Sequence, residues 1–369
     1  MNKFRTFAML AAIFSAILAD RPNRTDAATL SLVGLSTKVC QLTGETDWAT
    51  NQPTAAKTKT KFGLDSVDLG FPVDSGSGPL YFLFGDAFPR GHPPFGTMQP
   101  DDALGMTMRT ATPDSKSCLD LQLVTSAPKT FAHPTVAPPI PQGTYNVPSG
   151  GIFLGNTFHA FFWTNHCVSG QRCPETPALN TSGRSVLARE TPSNPAAFVQ
   201  ETPFRRWPFP TSPRMPSGFV YVSAAKQRPD IGQSGIPVFG VPLYRASIPY
   251  LAIAPAATFG NPMTWSFYSR TPAGAPKWLT RQQCESGRDR NRSWAPPAGA
   301  EIYDGNRISP ERCIGEHSVT WNEPLQSWLL LYGCRYRPGE IPQIEARIAP
   351  NPWGPWSPPT VVLSLAQYP

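Results

Sequence analysis

Residues 62–88 read FGLDSVDLGFPVDSGSGPLYFLFGDAF, and the way this stretch pairs with itself decides the fold. The segment from Leu80 to Phe84 has the residues of a buried strand, and it is followed by Gly85 and then a carboxylate, Asp86. Alternate residues of a strand share a face, so Leu80, Phe82, Phe84, Asp86 and Phe88 are expected on one side. An acid in line with large hydrophobes is costly unless it surfaces or is wanted there. Upstream, DSGSGP is turn chemistry, so the two flanks predict a hairpin. With Ser75 to Pro79 as the loop, Asp74 faces Leu80, Pro72 faces Phe82, Gly70 faces Phe84 and Asp68 faces Asp86. That register makes two acids cross-strand neighbours, about 4.5–5.5 Å apart at Cβ, where like charges repel.

Outward from this hairpin the pattern recurs. A strand or hairpin dense in aromatic and branched residues appears as GPLYFLFGDAF, as GIFLGNTFHAFFWTNH from Gly151, as GFVYVSAAK from Gly218 and as HSVTWNEPLQSWLLLYGC from His317. After each comes a variable loop and then an Ala-ending strand, a Pro turn and an aromatic strand. These second elements begin at Met106, Ser185, Leu251 and Ala346. Short antiparallel strands repeated at long spacing predict a β-propeller, whose blades bury both faces against their neighbours. Four blades are visible, and a fifth is expected from residues ~270–312 or from the joined termini. A β-sandwich is the structural alternative.

Composition agrees with an all-β chain. The 369 residues include 44 Pro and 29 Gly with only 15% charged residues, which leaves no room for long helices. Trp 10 and Phe 21 supply a sizeable core. Residues 1–19, MNKFRTFAMLAAIFSAILA, have a basic start and a short apolar run, the pattern of a secretory signal peptide, with a second cleavage site at Ala27 or Ala28. The expected organisation is a signal peptide at 1–19, an N-terminal extension at 20–60 and a propeller at 61–365. Residues 20–60 and 125–145 read as extended segments packed on the outside or left loose. The protein is expected to be secreted or periplasmic, a monomer, and off the membrane after cleavage. Seven cysteines in an exported chain predict disulfides, with Cys167 and Cys173 able to close on each other. No C-x-x-C pair occurs and the five histidines are dispersed, so no metal site and no cofactor is expected. The net charge of +7 comes from scattered basic residues, which argues against nucleic-acid binding.

The Asp68–Asp86 pair is the leading catalytic candidate. Two close carboxylates push their pKa values apart, so one stays protonated while the other is ionised. Acid/base hydrolysis of a glycosidic bond needs that division of labour. Pro72 marks an edge strand, as the innermost strand of a blade is, which places the pair at the channel mouth. The structural alternative is that both aspartates cap turns. Glu316, His166, His317 and Asp102 are candidates for holding sugar hydroxyls, against the ordinary alternatives of a rim salt bridge, surface histidines and a solvated turn acid. Trp163, Trp265, Trp321, Trp353 and Trp356 read mostly as blade core.

The combination of DLGFPV, GPLYFLFGDAF, GEHSVTWNEPLQSWLLLY and APNPWGPWSPP resembles domain of unknown function 4185, whose superfamily includes the endo-D-arabinanases of glycoside hydrolase family 183. The resemblance runs from about Gly63 to Leu363. It implies a five-bladed propeller and inverting hydrolysis of D-arabinofuranosyl linkages, with the family's paired aspartates at Asp68 and Asp86. Asp68 is assigned as base and Asp86 as acid. Long Pro-rich insertions and extra cysteines depart from the family pattern at the loops that set the cleft. The rival expectation is a non-catalytic carbohydrate-binding or scaffold propeller.

Overall fold

The computed structural model describes residues 29–34, 36–76, 78–89, 101–108, 118–140, 142, 146–164, 184–201, 221–229, 234–241, 248–271, 273, 275–286, 314–334, 343–364 and 366. The expected signal peptide, His166 and the Cys167–Cys173 loop lie outside these residues. Strands dominate the described chain, and the two α-helices are short, α1 (Thr58–Phe62) and α2 (Arg281–Ser286). No helix is long and apolar enough to cross a membrane among the described residues.

The opening hairpin forms as its turn chemistry requires. Strand β1 (Leu64–Asp74) pairs antiparallel with β2 (Leu80–Pro89). The turn is closed by the Asp74 carboxylate accepting the Gly76 N–H at 2.6 Å and the Ser75 hydroxyl donating to the Pro79 carbonyl at 2.6 Å. Gly76 has φ +91°, a left-handed conformation that costs glycine little. The observed partners include Asp74 with Leu80, Pro72 with Phe82 and Gly70 with Phe84, as the turn predicts.

Strands β3 (Asp101–Thr107) and β4 (Gln122–Leu123) complete the first blade in the order β1-β2-β3-β4. A small hairpin of β5 (Thr125–Ala127) and β6 (Thr130–Phe131) follows. The second blade contains β7 (Thr135–Ala137), β8 (Pro148–Leu154), β9 (Thr157–Thr164), β10 (Arg184–Thr191) and β11 (Asn194–Gln200), ordered β7-β11-β10-β9-β8. Part of the segment expected as outer packing is therefore a strand, since β7 runs parallel to β11. The third blade is β12 (Tyr221–Ala224), β13 (Ile236–Val241), β14 (Tyr250–Ala254), β15 (Ser266–Arg270) and β16 (Pro276–Thr280) in chain order. The fourth is β17 (His317–Asn322), β18 (Ser327–Cys334), β19 (Gln343–Ala349) and β20 (Thr360–Ser364). The innermost strands touch in sequence, β1 to β8, β8 to β12 and β12 to β17.

Each junction between consecutive blades has its own core. Leu83 and Leu104 meet Phe158, Phe162 and Phe198 between the first and second blades. Phe161 and Leu187 meet Val238, Phe259 and Trp265 between the second and third. Tyr221, Phe239 and Leu251 meet Trp328, Leu330 and Trp356 between the third and fourth. Each such side chain, fully buried, contributes about 1.5–3 kcal/mol by leaving water. This two-sided burial accounts for strands without polar alternation, such as YFLF and HAFFW.

The described residues form four blades, where the sequence led us to expect five. Residues 276–286, part of the segment proposed for a fifth, instead finish the third blade as β16 and open α2. The N-terminal segment lies between the fourth blade and the first. Leu30 accepts a hydrogen bond from the Thr360 hydroxyl at 2.9 Å, and the Ser36 hydroxyl donates to the Val362 carbonyl, both on β20. Further on, Cys40 is disulfide-bonded to Cys118, just before β4. Ala56 and Phe62 pack with Phe82, Phe84, Leu121, Leu123 and Phe131 on the far side of the first blade. The described part of the N-terminal extension is thus a ring-closing arm packed on the blades. Its terminus is set by Gly63, whose φ of +74° ends α1 and whose missing Cβ leaves room for the Lys129 carbonyl.

Candidate active site

The inner strand β1 exposes alternate residues. Asp68, Gly70 and Pro72 face outward while Val73 is buried and Leu69 and Phe71 pack inward on the core. This outward face forms one wall of a pocket of about 600 Å³. The opposite wall comes from the fourth blade, with Glu316, His317, Leu331, Tyr332, Ile344 and Leu363. The pocket therefore sits where the ring closes, and it collects Asp68, Glu316 and His317 from sequence positions nearly 250 residues apart.

Asp86 is one strand further out. The pairs Val67–Ala87 and Leu69–Gly85 bracket it, so the hairpin register holds on either side of Asp68 and Asp86. The geometry at Asp86 is less regular than simple alternation. Its φ is +48°, the left-handed region that an aspartate enters only at some cost. The cause is a bulge. Between β2 and β3 the partners jump from Phe84–Ala103 to Ala87–Asp101, so Gly85 and Asp86 together oppose Asp102 alone. Gly85 is required here, because a Cβ would come 2.7 Å from Val147 Cβ. The bulge interrupts the strand's alternation at the half-buried Asp86.

Asp102 corrects the sequence expectation most sharply. It was read as a loop acid able to hold sugar hydroxyls, but it lies within β3 and is 0% exposed. No ligand hydroxyl can reach it in this arrangement. Its pKa is raised well above the carboxylate range, first by burial and then by the charges of Asp101 and Asp86. Gln142 Nε2 donates to its Oδ2 at 3.4 Å, the Asp86 main-chain N–H also bonds the carboxyl, and Oδ1 has no hydrogen-bond partner among the described residues. Asp101 beside it is half-exposed, pairs with His133 at 3.0 Å and raises that imidazole's pKa by hydrogen bonding.

Glu316 is half-buried at the start of β17 and lines the pocket. His317 lines it too, but is 4% exposed. Its Nδ1 lies 2.9 Å from the Gly315 carbonyl, which fixes the proton on that nitrogen. Burial holds its pKa below the usual histidine range, opposed by the Gly315 and Phe239 carbonyls and by Glu316. With Nε2 also buried, His317 shapes the pocket wall more readily than it binds a hydroxyl. Trp163, Trp265 and Trp356 are core residues as expected. Trp321 lies under the Arg228 guanidinium, 4.6 Å from the ring centre, and Trp353 meets Trp278 edge-on. Among the described residues no group of three or more His, Cys, Asp or Glu side chains is placed to hold a metal ion.

The fold has relatives among solved structures. A protein of Bacteroides ovatus ATCC 8483, described provisionally as a hydrolase, superposes with a TM-score of 0.50 at 9% identity, over 83% of this chain and 72% of the other. An exo-β-1,3-galactanase of Phanerochaete chrysosporium gives 0.41 at 10% identity, over 88% and 53%. An α-L-arabinofuranosidase of Podospora anserina gives 0.38 at 9% identity, over 80% and 67%. This chain thus spans about half the length of the galactanase, and identities this low bear on fold alone. No curated protein matches the sequence. The family comparison is more specific, because the domain of unknown function DUF4185 matches residues 54–369, from the ring-closing arm through all four blades to the last residue. The chain belongs to the DUF4185 family.

Proposed function

We propose that this protein is an exported glycoside hydrolase that cleaves a polysaccharide by an inverting, two-aspartate mechanism, with D-arabinan the first substrate to test. The observation that carries this reading is the β1–β2 register, in which the pairs Val67–Ala87 and Leu69–Gly85 bracket Asp68 and Asp86, with Asp68 open to the ring-closing pocket. Asp68, exposed in that pocket, is the base. It takes a proton from water as the water oxygen attacks the anomeric carbon on the face opposite the leaving group. Asp86 is the acid, giving its proton to the glycosidic oxygen as the bond breaks. Inversion needs the two carboxyls about 6.5–9.5 Å apart with room for a water, a spacing that the bulge at Asp86 would have to supply. The Cys40–Cys118 disulfide suits an oxidising compartment and so supports export.

A non-catalytic carbohydrate-binding propeller draws on a different observation. Leu69, Phe71, Pro72, Leu331, Ile344 and Leu363 make the pocket lining largely apolar, and Asp86 is not among its wall residues. Incubating purified protein with D-arabinan and a panel of neutral glycans separates the two. Hydrolysis is read as shorter products whose first-formed anomer is inverted. Binding with no new reducing ends on any glycan favours the binding propeller.

A further inference from the structure

A bulge leaves one main-chain N–H without its ladder partner, and a protein must satisfy it. Here the single residue opposite the Gly85–Asp86 bulge is Asp102, and its side chain is turned inward to 0% exposure. A solvent-facing acid would be the inexpensive choice at this position. Its neighbour Asp101 is one, half-exposed and bonded to His133. The inward acid has no other role in view. Among the described residues its Oδ1 has no hydrogen-bond partner, and apart from the Asp86 main chain the carboxyl has only a long contact from Gln142 to Oδ2.

We propose that Asp102 is a positioning residue for Asp86: from across the bulge its buried carboxyl accepts the Asp86 main-chain N–H and holds that residue in the left-handed conformation that directs its side chain. The catalytic consequence rests on Asp86 being a catalytic acid, but the structural half does not. Burial and the nearby charges of Asp101 and Asp86 push its pKa up, which favours a neutral carboxyl over a second negative charge beside Asp86. It differs from a substrate ligand, which would have to be reachable, and from a core filler, for which a leucine would serve. Gly85 completes the device, since Val147 fills the space that any larger residue would need.

The test combines structure, exchange and kinetics in the full-length protein. In the wild type the Asp86 amide should exchange with solvent as slowly as the ladder amides of β2, and exchange at the rate of an open loop would overturn the proposal. Asp102→Asn supplies a neutral acceptor of the same shape, so residue 86 should keep its positive φ in a crystal structure. Asp102→Ala removes the acceptor, so residue 86 should move to extended backbone. On any glycan that the wild type hydrolyses, Asp102→Ala should lower kcat about 10²-fold, the scale of a misplaced catalytic group, with KM changed little. Asp102→Asn should stay within about 10-fold of wild type. An Asp102→Ala structure with residue 86 unmoved, or an Asn variant as impaired as the Ala variant, would contradict the assignment. If the wild type hydrolyses nothing, the hydrolase reading fails while the exchange and backbone results still decide this one.

Discussion

Removing the disulfide that pins the ring-closing arm, by Cys40→Ser together with Cys118→Ser, should cost a large fraction of the protein's stability. The bridge spans 78 residues, and closing a loop of that length in the unfolded chain corresponds to about 4.5 kcal/mol of conformational entropy. Non-covalent contacts do not replace it. Ala56 and Phe62 keep the arm against the first blade in the folded state, but they do nothing to the unfolded ensemble. We therefore expect a loss of about 2–4.5 kcal/mol, with measured bridges usually at the lower end of such estimates. The assay is urea-induced unfolding followed by tryptophan fluorescence, with the denaturant slope rising modestly because the uncrosslinked chain exposes more surface. The double serine variant is preferable to adding reductant, since Cys334 is also disulfide-bonded and would be reduced with it. A loss below about 1 kcal/mol would refute the reasoning, by showing that the arm is held without the cross-link or that the unfolded chain is not constrained by it.

Other outcomes follow from single positions. Gly63→Ala should cost more than about 2 kcal/mol by thermal or urea unfolding, because a Cβ would stand 2.5 Å from the Lys129 carbonyl at a left-handed φ. Tyr332→Phe should cost about 1–3 kcal/mol, since the Tyr332 hydroxyl donates to the buried Glu345 at 2.6 Å and accepts from Arg347 Nε at 3.0 Å. Asp102 is faced by Asp86 on β2, Asp101 on its own strand and the Gln142 amide, with His133 on Asp101. Its raised pKa means that the folded state holds a proton the unfolded state releases above about pH 4. Stability should therefore fall as pH rises from about 4 through the folded pKa, and Asp102→Asn should flatten that part of the profile. The same sign holds for His133, whose folded pKa is raised by Asp101, but in a higher pH window. Its stabilisation is complete below about pH 6.5 and lost as pH rises through the folded value, so an NMR titration should show the His133 pKa dropping in Asp101→Asn.

The parts that the sequence made legible are those set by local chemistry. Asp-Ser-Gly-Ser-Gly-Pro has few ways to turn, so the β1–β2 register followed from counting, and with it the pairs that bracket Asp68 and Asp86. The recurring aromatic and Ala-Pro elements could be read as the repeating parts of successive blades, because each blade solves the same packing problem. Long-range pairing hid the rest. The bulge at Gly85–Asp86 exists only in relation to β3, which eleven residues of chain separate from the end of β2. Two consecutive acids, Asp101 and Asp102, looked like a solvated turn. On a strand they point to opposite sides, and the second is buried. Blade count failed for a similar reason. The Thr- and Lys-rich segment before Leu64 has little strand pattern of its own, yet it covers the first blade through Ala56 and Phe62 and bonds to β20 through Leu30 and Ser36.

Turnover of one responsive glycan by Asp68→Asn and Asp86→Asn, each compared with wild type, bears most directly on the proposed chemistry. Both changes keep side-chain shape and leave the hairpin turn untouched, and each acid or base step is worth about 10²–10⁴-fold. Each variant should lose activity on that scale with its melting temperature held or raised, because a like-charge repulsion is relieved. On an aryl glycoside whose leaving group needs no proton, Asp86→Asn should recover most of its rate and Asp68→Asn should not. Near-normal turnover in both variants, with lowered melting temperatures, would show that the two aspartates cap structure and that the glycan is bound or cut by other residues.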